Sequence, residues 1–161
     1  MNLPAAKLQA PPGACDCHMH FFDTRFPLAA HARRKEHDAT VADYRLVQQR
    51  LGLSRVVVVQ PTAYGRDNSC TRAAMAELNA AQSGDVARGV AVIDPATSDA
   101  EIERLTQAGM RGVRFRMLEP PELPWDLLEP MAARTAPRHR LFSRCRSRWQ
   151  HRSLELLRTI L

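Results

Sequence analysis

Arg55-Val-Val-Val-Val-Gln60 decides the fold. Four consecutive valines show no alternation of apolar and polar positions, so the segment reads as a parallel strand buried on both faces. A parallel strand reaches its neighbour through a crossover, most often a helix, and the flanking sequence supplies such helices. Upstream, Thr40-Val-Ala-Asp43 opens one with a side chain able to cap it, Tyr44, Val47 and Leu51 fall on one face, and Gly52 offers a stop. Downstream, a loop rich in turn formers, Pro61 to Ser69, leads into a helix over 69–82 whose Met75 and Leu78 are core positions.

The pattern then repeats. Arg88 to Ile93 is a strand closed by Asp94-Pro95, and Ser98-Asp-Ala-Glu101 is a capping box before a helix that buries Ile102 and Leu105. Gly109 ends that helix, Arg111 to Met117 is the next strand, and Pro124 to Arg134 is a fourth helix with Trp125 in the core. Strict alternation with short connections predicts an α/β chain of parallel strands. A doubly wound sheet would carry a Gly-rich phosphate loop after its first strand, where this chain has Phe21-Phe22-Asp23. Polar side chains collecting at the carboxyl ends of successive strands fit a (β/α)8, or TIM, barrel better.

The first strand lies in Gly13-Ala-Cys-Asp-Cys-His-Met-His-Phe-Phe-Asp23. His18 and His20, two apart, point the same way in a strand; Asp16 is expected on their face, and Cys17, Met19 and Phe21 on the other. Two histidines on one wall can hold a metal or polarise a substrate oxygen; the alternative is a pair of ordinary strand histidines. A zinc knuckle of Cys15 and Cys17 with the two histidines is disfavoured, because alternation turns the sulfurs away from the imidazoles. In the loop after the valine strand, Thr62, Tyr64 and Asn68 are donors fit for an anionic oxygen, unless the loop merely turns. Arg114 and Arg116 alternate with Val113, Phe115 and Met117, so their guanidinium groups share one side, the barrel interior or its rim. A buried arginine needs an anion, and its planar fork matches a carboxylate; the alternative is a rim arginine paired with a carboxylate such as Asp94. His31, His37, His139 and His151 lie in polar segments and read as solvated.

The 161 residues, 45% hydrophobic and 25% charged, fit one soluble globular domain. No apolar run approaches the roughly 20 residues that span a bilayer, and the start lacks the apolar stretch of a secretory signal, so a cytoplasmic protein with no membrane partner is expected. Four cysteines without paired spacing are expected to be reduced thiols. Charge is unevenly placed: residues 1–137 hold sixteen basic and sixteen acidic side chains, and residues 138–161 hold seven arginines and one glutamate, which accounts for the net +6. The body therefore carries no electrostatic footprint for nucleic acid. An anionic partner would have to use the tail, Arg138 to Arg158.

Four short motifs in order, Cys15-Asp-Cys-His-Met-His20, Asp38-Ala-Thr-Val-Ala-Asp-Tyr44, Val58-Val-Gln-Pro-Thr-Ala-Tyr-Gly-Arg-Asp-Asn68 and Gly112-Val-Arg-Phe115, together resemble the amidohydrolase-related group that includes 2-pyrone-4,6-dicarboxylate lactonase. The resemblance runs over residues 11–136, and residues 137–161 read as an atypical basic tail. It implies the N-terminal half of a TIM barrel, about four βα units, in a hydrolase of carboxylate-bearing lactones or related cyclic esters. His18 and His20 would be the catalytic pair, binding a divalent metal such as zinc or polarising the lactone carbonyl without one. Thr62, Tyr64 and Arg114 would hold substrate carboxylates, with Asn68 and Arg116 as further binding candidates; many relatives carry Asn at the position of Arg116. A decarboxylase or lactone isomerase on the same scaffold, a non-catalytic remnant, and an anion binder acting through the tail are the alternatives.

The family's later strands supply further histidines and an aspartate general base, and none of these is assignable in this chain. Beyond Pro137 neither an apolar strand run nor turn punctuation is evident; Leu154, Leu156, Leu157 and Ile160 suit a short terminal helix. The abrupt arginine enrichment suggests a frameshifted or truncated reading of a longer gene. Such a half-barrel is expected to be weakly active or inactive as a monomer and prone to self-association through its open strand edges.

Overall fold

The computed structural model describes residues 6–7, 9–30, 32, 37–82, 84–116, 124–137 and 141–145. Five strands, β1 (Cys15–Met19), β2 (Arg55–Val59), β3 (Ala87–Ala91), β4 (Met110–Arg116) and β5 (Leu141–Cys145), form one sheet in the order β1-β2-β3-β4-β5, every pair parallel. Between them lie α1 (Val41–Leu51), α2 (Ser69–Ala80), α3 (Asp99–Gln107) and α4 (Leu128–Thr135). Short 3₁₀ turns at Thr62–Tyr64 and Trp125–Leu127 precede α2 and α4. Sequential strand order without a reversal is that of a barrel wall, whereas a doubly wound sheet reverses at its switch point.

The core sits on one face of the sheet. Val56, Val58, Ala87, Ala91, Met110, Val113 and Phe115 from the strands join Tyr44, Met75, Leu78, Ile102, Leu105 and Met131 from the four helices in a single buried cluster. Gly89 lies close under the Met75 and Met110 sulfurs, which an added Cβ would force to move. Alternation sends Val57, Val59, Val90 and Arg114 to the opposite face, the side a barrel turns inward.

Local chemistry sets the element ends. Thr40 and Asp43 form a reciprocal capping box on α1, and Gly52 closes that helix at φ 73° with its N–H on the Gln48 carbonyl. Ser98 caps α3 by accepting from the Glu101 N–H at 3.2 Å. Only this half of the expected box is present, because the Glu101 carboxylate pairs with Arg104 at 2.6 Å.

Two expectations require correction. The buried face of α1 is Val41, Tyr44 and Gln48, not Tyr44, Val47 and Leu51; Val47 and Leu51 are exposed, as is Leu46 at 67%. Tyr44 is pinned by a hydrogen bond to Asp16 and by an edge-on contact with Phe21, and positions three before and four after it share its side of the helix. The segment after Pro137 contains a strand after all: β5 pairs with β4 from Gly112↔Leu141 to Arg116↔Cys145. A ladder is made by backbone groups, so a stretch poor in β-branched residues enters it when a neighbouring edge is available. The side chains of Trp125 and Arg116, and the suggested terminal helix, lie outside the described residues. Among the described residues no helix is long and apolar enough to cross a membrane.

Candidate active site

A bulge in β1 shapes the site. Asp16 pairs with Val56 and Met19 with Val58, so Cys17 and His18 both stand opposite Val57. Asp16 therefore faces the helices, where its carboxylate accepts from the Tyr44 hydroxyl at 3.1 Å and from the His18 N–H at 3.0 Å. Met19 packs against the same core. This corrects the expected placement of Asp16 beside the histidines. It also removes the argument that alternation parts the Cys17 sulfur from the imidazoles, because alternation stops at the bulge.

His18 and His20 meet on the inner face with their Nε2 atoms 3.3 Å apart and their rings edge-on. His20 Nδ1 lies 2.7 Å from the Val59 carbonyl oxygen, which can only accept, so this nitrogen carries the proton and Nε2 offers its lone pair. Burial first, then the positive charge of Arg114 and the neighbouring His18, hold His20 below its ordinary value, outweighing the Val59 bond that favours the charged form. Acidification consequently destabilises the fold. The unfolded chain takes the proton near 6.5 and the folded site only at lower pH, so stability is full above 6.5 and falls as pH drops toward the folded value. Thermal unfolding followed from about pH 7 to about pH 5.5 is expected to show a declining Tm, and His20→Gln to flatten that decline.

Arg114 comes to the same place from β4. It is 7% exposed, and it reaches past β3 to donate from Nη1 to the Gln60 carbonyl at 2.6 Å. Its Nε is buried without a partner among the described residues. Asp94, the carboxylate considered for it, is engaged by Arg66 and Thr97. The imidazole pair and this guanidinium thus converge on consecutive backbone carbonyls, Val59 and Gln60, at the carboxyl end of β2.

The loop after β2 is held by a side chain the sequence reading passed over. Gln60 is fully buried, donates to the Gly65 and Asp67 carbonyls at 3.2 and 2.8 Å, and accepts from the Thr71 hydroxyl at 2.5 Å. Its signal was available, as a polar residue ending a run of valines. Thr62 opens the 3₁₀ turn beside it, half-buried. The Tyr64 hydroxyl is used to pin the strand-exit loop, accepting from the Asp23 N–H at 2.9 Å and donating to the Asp23 carbonyl at 3.1 Å; burial pushes it up to about 12. Asn68 braces the end of β3: its amide donates to the Val92 and Arg66 carbonyls at 2.9 Å each and accepts from the Val92 N–H at 3.0 Å.

A metal was the other use foreseen for the histidines. Their Nε2 separation of 3.3 Å matches the edge of a tetrahedron with metal–nitrogen bonds of about 2.0–2.1 Å, and the Val59 carbonyl accepts from His20 Nδ1–H, the bond that orients a metal-binding imidazole. Among the described residues, however, no group of three or more His, Cys, Asp or Glu side chains is placed to hold an ion. Two ligands fall short of the three protein ligands of a catalytic zinc.

Comparison with known proteins follows from this geometry. The sequence profile of the Amidohydrolase family matches residues 15–148. A 2-pyrone-4,6-dicarboxylate hydrolase of Comamonas testosteroni is 38% identical over 120 residues, covering 73% of this chain and 38% of that protein. A D-galactarolactone isomerase of Agrobacterium fabrum is 36% identical over 107 residues, covering 65% of this chain and 35% of that one. Among solved structures, an apo crystal structure of an Agrobacterium tumefaciens protein superimposes with a TM-score of 0.70 at 30% identity, over 83% of this chain and 47% of that one. The chain thus spans less than half the length of these relatives.

Proposed function

This chain belongs to the amidohydrolase family, and from that premise we propose that it acts on lactones or related cyclic esters bearing a carboxylate, through a site built from His18, His20, Thr62 and Arg114. The observation that carries the reading is the buried Nε of Arg114, without a partner among the described residues, beside the imidazole pair. A buried guanidinium with no carboxylate partner among the described residues is matched by one from a ligand, in a charge-assisted fork. With the carboxylate held there, the ring carbonyl lies toward His18, whose Nε2–H polarises it for attack by water. His20, its own N–H spent on the Val59 carbonyl, presents the lone pair of Nε2 to orient that donor. The ring C–O bond then breaks, and the product leaves as a hydroxy acid with a second carboxylate.

Among the described residues no Asp or Glu joins the imidazole pair as a proton acceptor. The chain by itself is therefore assigned substrate capture and carbonyl polarisation, with slow turnover. Ring migration is supported as a second reading by the isomerase relative, since transfer within one molecule needs no activated water. A panel of lactones with and without a ring carboxylate separates the outcomes, with binding read by calorimetry and product by NMR. Carboxylate-bearing lactones are expected to bind, giving hydroxy acid for hydrolysis or an isomeric lactone for migration. Equal affinity for lactones lacking the carboxylate would overturn the proposal.

A further inference from the structure

We propose that Cys15 and Cys17 form a reversible thiol pair on the wall of the site, which a small-molecule disulfide oxidises to a Cys15–Cys17 bridge. Both are free cysteines. By alternation Cys15 stands opposite to Asp16, which faces the helices, and Cys17 is exposed on the inner side of the bulge, so the two thiols share a face. Residues two apart in a strand are separated by about 6.6 Å at 3.3 Å per residue, inside the Cα separation of about 4.4–6.8 Å that a disulfide bridges. The Cys17 thiol already turns back on its neighbour, 3.5 Å from the Cys15 carbonyl oxygen. The extra residue at the bulge bends the strand locally, which allows the two Cα atoms to draw together. Cys70 has neither property, being buried with its thiol toward the Phe21 carbonyl at 3.8 Å.

The chemistry is thiol–disulfide exchange. Cys17, the more exposed, gives up its proton and attacks one sulfur of the oxidant; the oxidant's S–S bond breaks, and its first thiol leaves carrying that proton. Cys15 then gives up its proton and attacks the Cys17 sulfur, the mixed disulfide breaks, and the second thiol leaves protonated. Two protein thiols lose two electrons, and one small disulfide becomes two thiols. The bridge would sit one residue from His18, in the strand that carries the imidazole pair.

Glutathione disulfide is the probe, with the full chain, an acid quench, alkylation and mass spectrometry. The wild-type chain is expected to lose two hydrogens in mass, with Cys15 and Cys17 linked in the peptide map and closed to alkylation. Cys15→Ser is expected to retain a glutathionyl group on Cys17 that the wild type sheds. A persistent glutathionyl group on wild-type Cys17, a bridge from Cys17 to Cys70 or Cys145, or unchanged alkylation of both thiols would each overturn the proposal. The readout is mass alone, so the result stands apart from any lactone chemistry.

Discussion

Replacing Arg114 by methionine is expected to leave the protein about as stable as before and to weaken its capture of a carboxylate lactone. The guanidinium is 7% exposed, donates to the Gln60 carbonyl, and buries Nε without a partner among the described residues. An unsatisfied buried polar atom costs about 1–3 kcal/mol, more when the group is charged; methionine removes that cost at Nε and incurs a similar one at the Gln60 carbonyl, which loses its donor. Binding falls, because hydrogen bonds to charged groups contribute about 1.5–3 kcal/mol, or about 10- to 150-fold in affinity. Urea unfolding and calorimetry with the same variant check the two halves. A variant that loses stability and binds as before would show that the guanidinium only holds the sheet together.

Asn68→Leu is expected to destabilise the protein by about 2–5 kcal/mol, by orphaning buried groups at about 1–3 kcal/mol each. The Asn68 amide satisfies both the N–H and the carbonyl of Val92 as well as the carbonyl of Arg66, and leucine can satisfy none of them. The loop over 61–68 would lose its tie to the end of β3 while Gln60 still held its start. Measured by urea unfolding, this outcome separates a brace from a substrate ligand. A ligand role predicts an unchanged unfolding midpoint and weaker lactone binding.

Much of the architecture was legible because it depends on local patterns. The valine run of β2, the Thr40 cap, the Gly52 stop and the core positions Met75, Leu78, Ile102 and Leu105 follow from periodicity and capping, which act within a few residues. The pairing of the imidazoles was legible as well, since alternation resumes at His18, turns Met19 to the core and keeps His18 and His20 on one side. Asp16 was misplaced because a bulge is a property of two strands in register, and neither strand alone contains the count of residues that reveals it. Tyr64 and Asn68 carried the right chemistry for ligands, and the partners that use their polar atoms, Asp23 and Val92, are 41 and 24 residues away.

The sequence by itself determined the alternation of strands and helices, the parallel sense of the sheet and the family to which the chain belongs. Those rest on side-chain periods and on the residue types that start and stop an element. Only the tertiary structure decided which polar groups are free to act: it turned Asp16 onto Tyr44, spent Asn68 on the backbone of β3, drew β5 into the sheet, and buried the Arg114 guanidinium with an Nε that has no partner among the described residues. Whether a donor is satisfied depends on every acceptor that folding brings within about 3 Å of it, and distances across a sheet are not written in spacing along the chain.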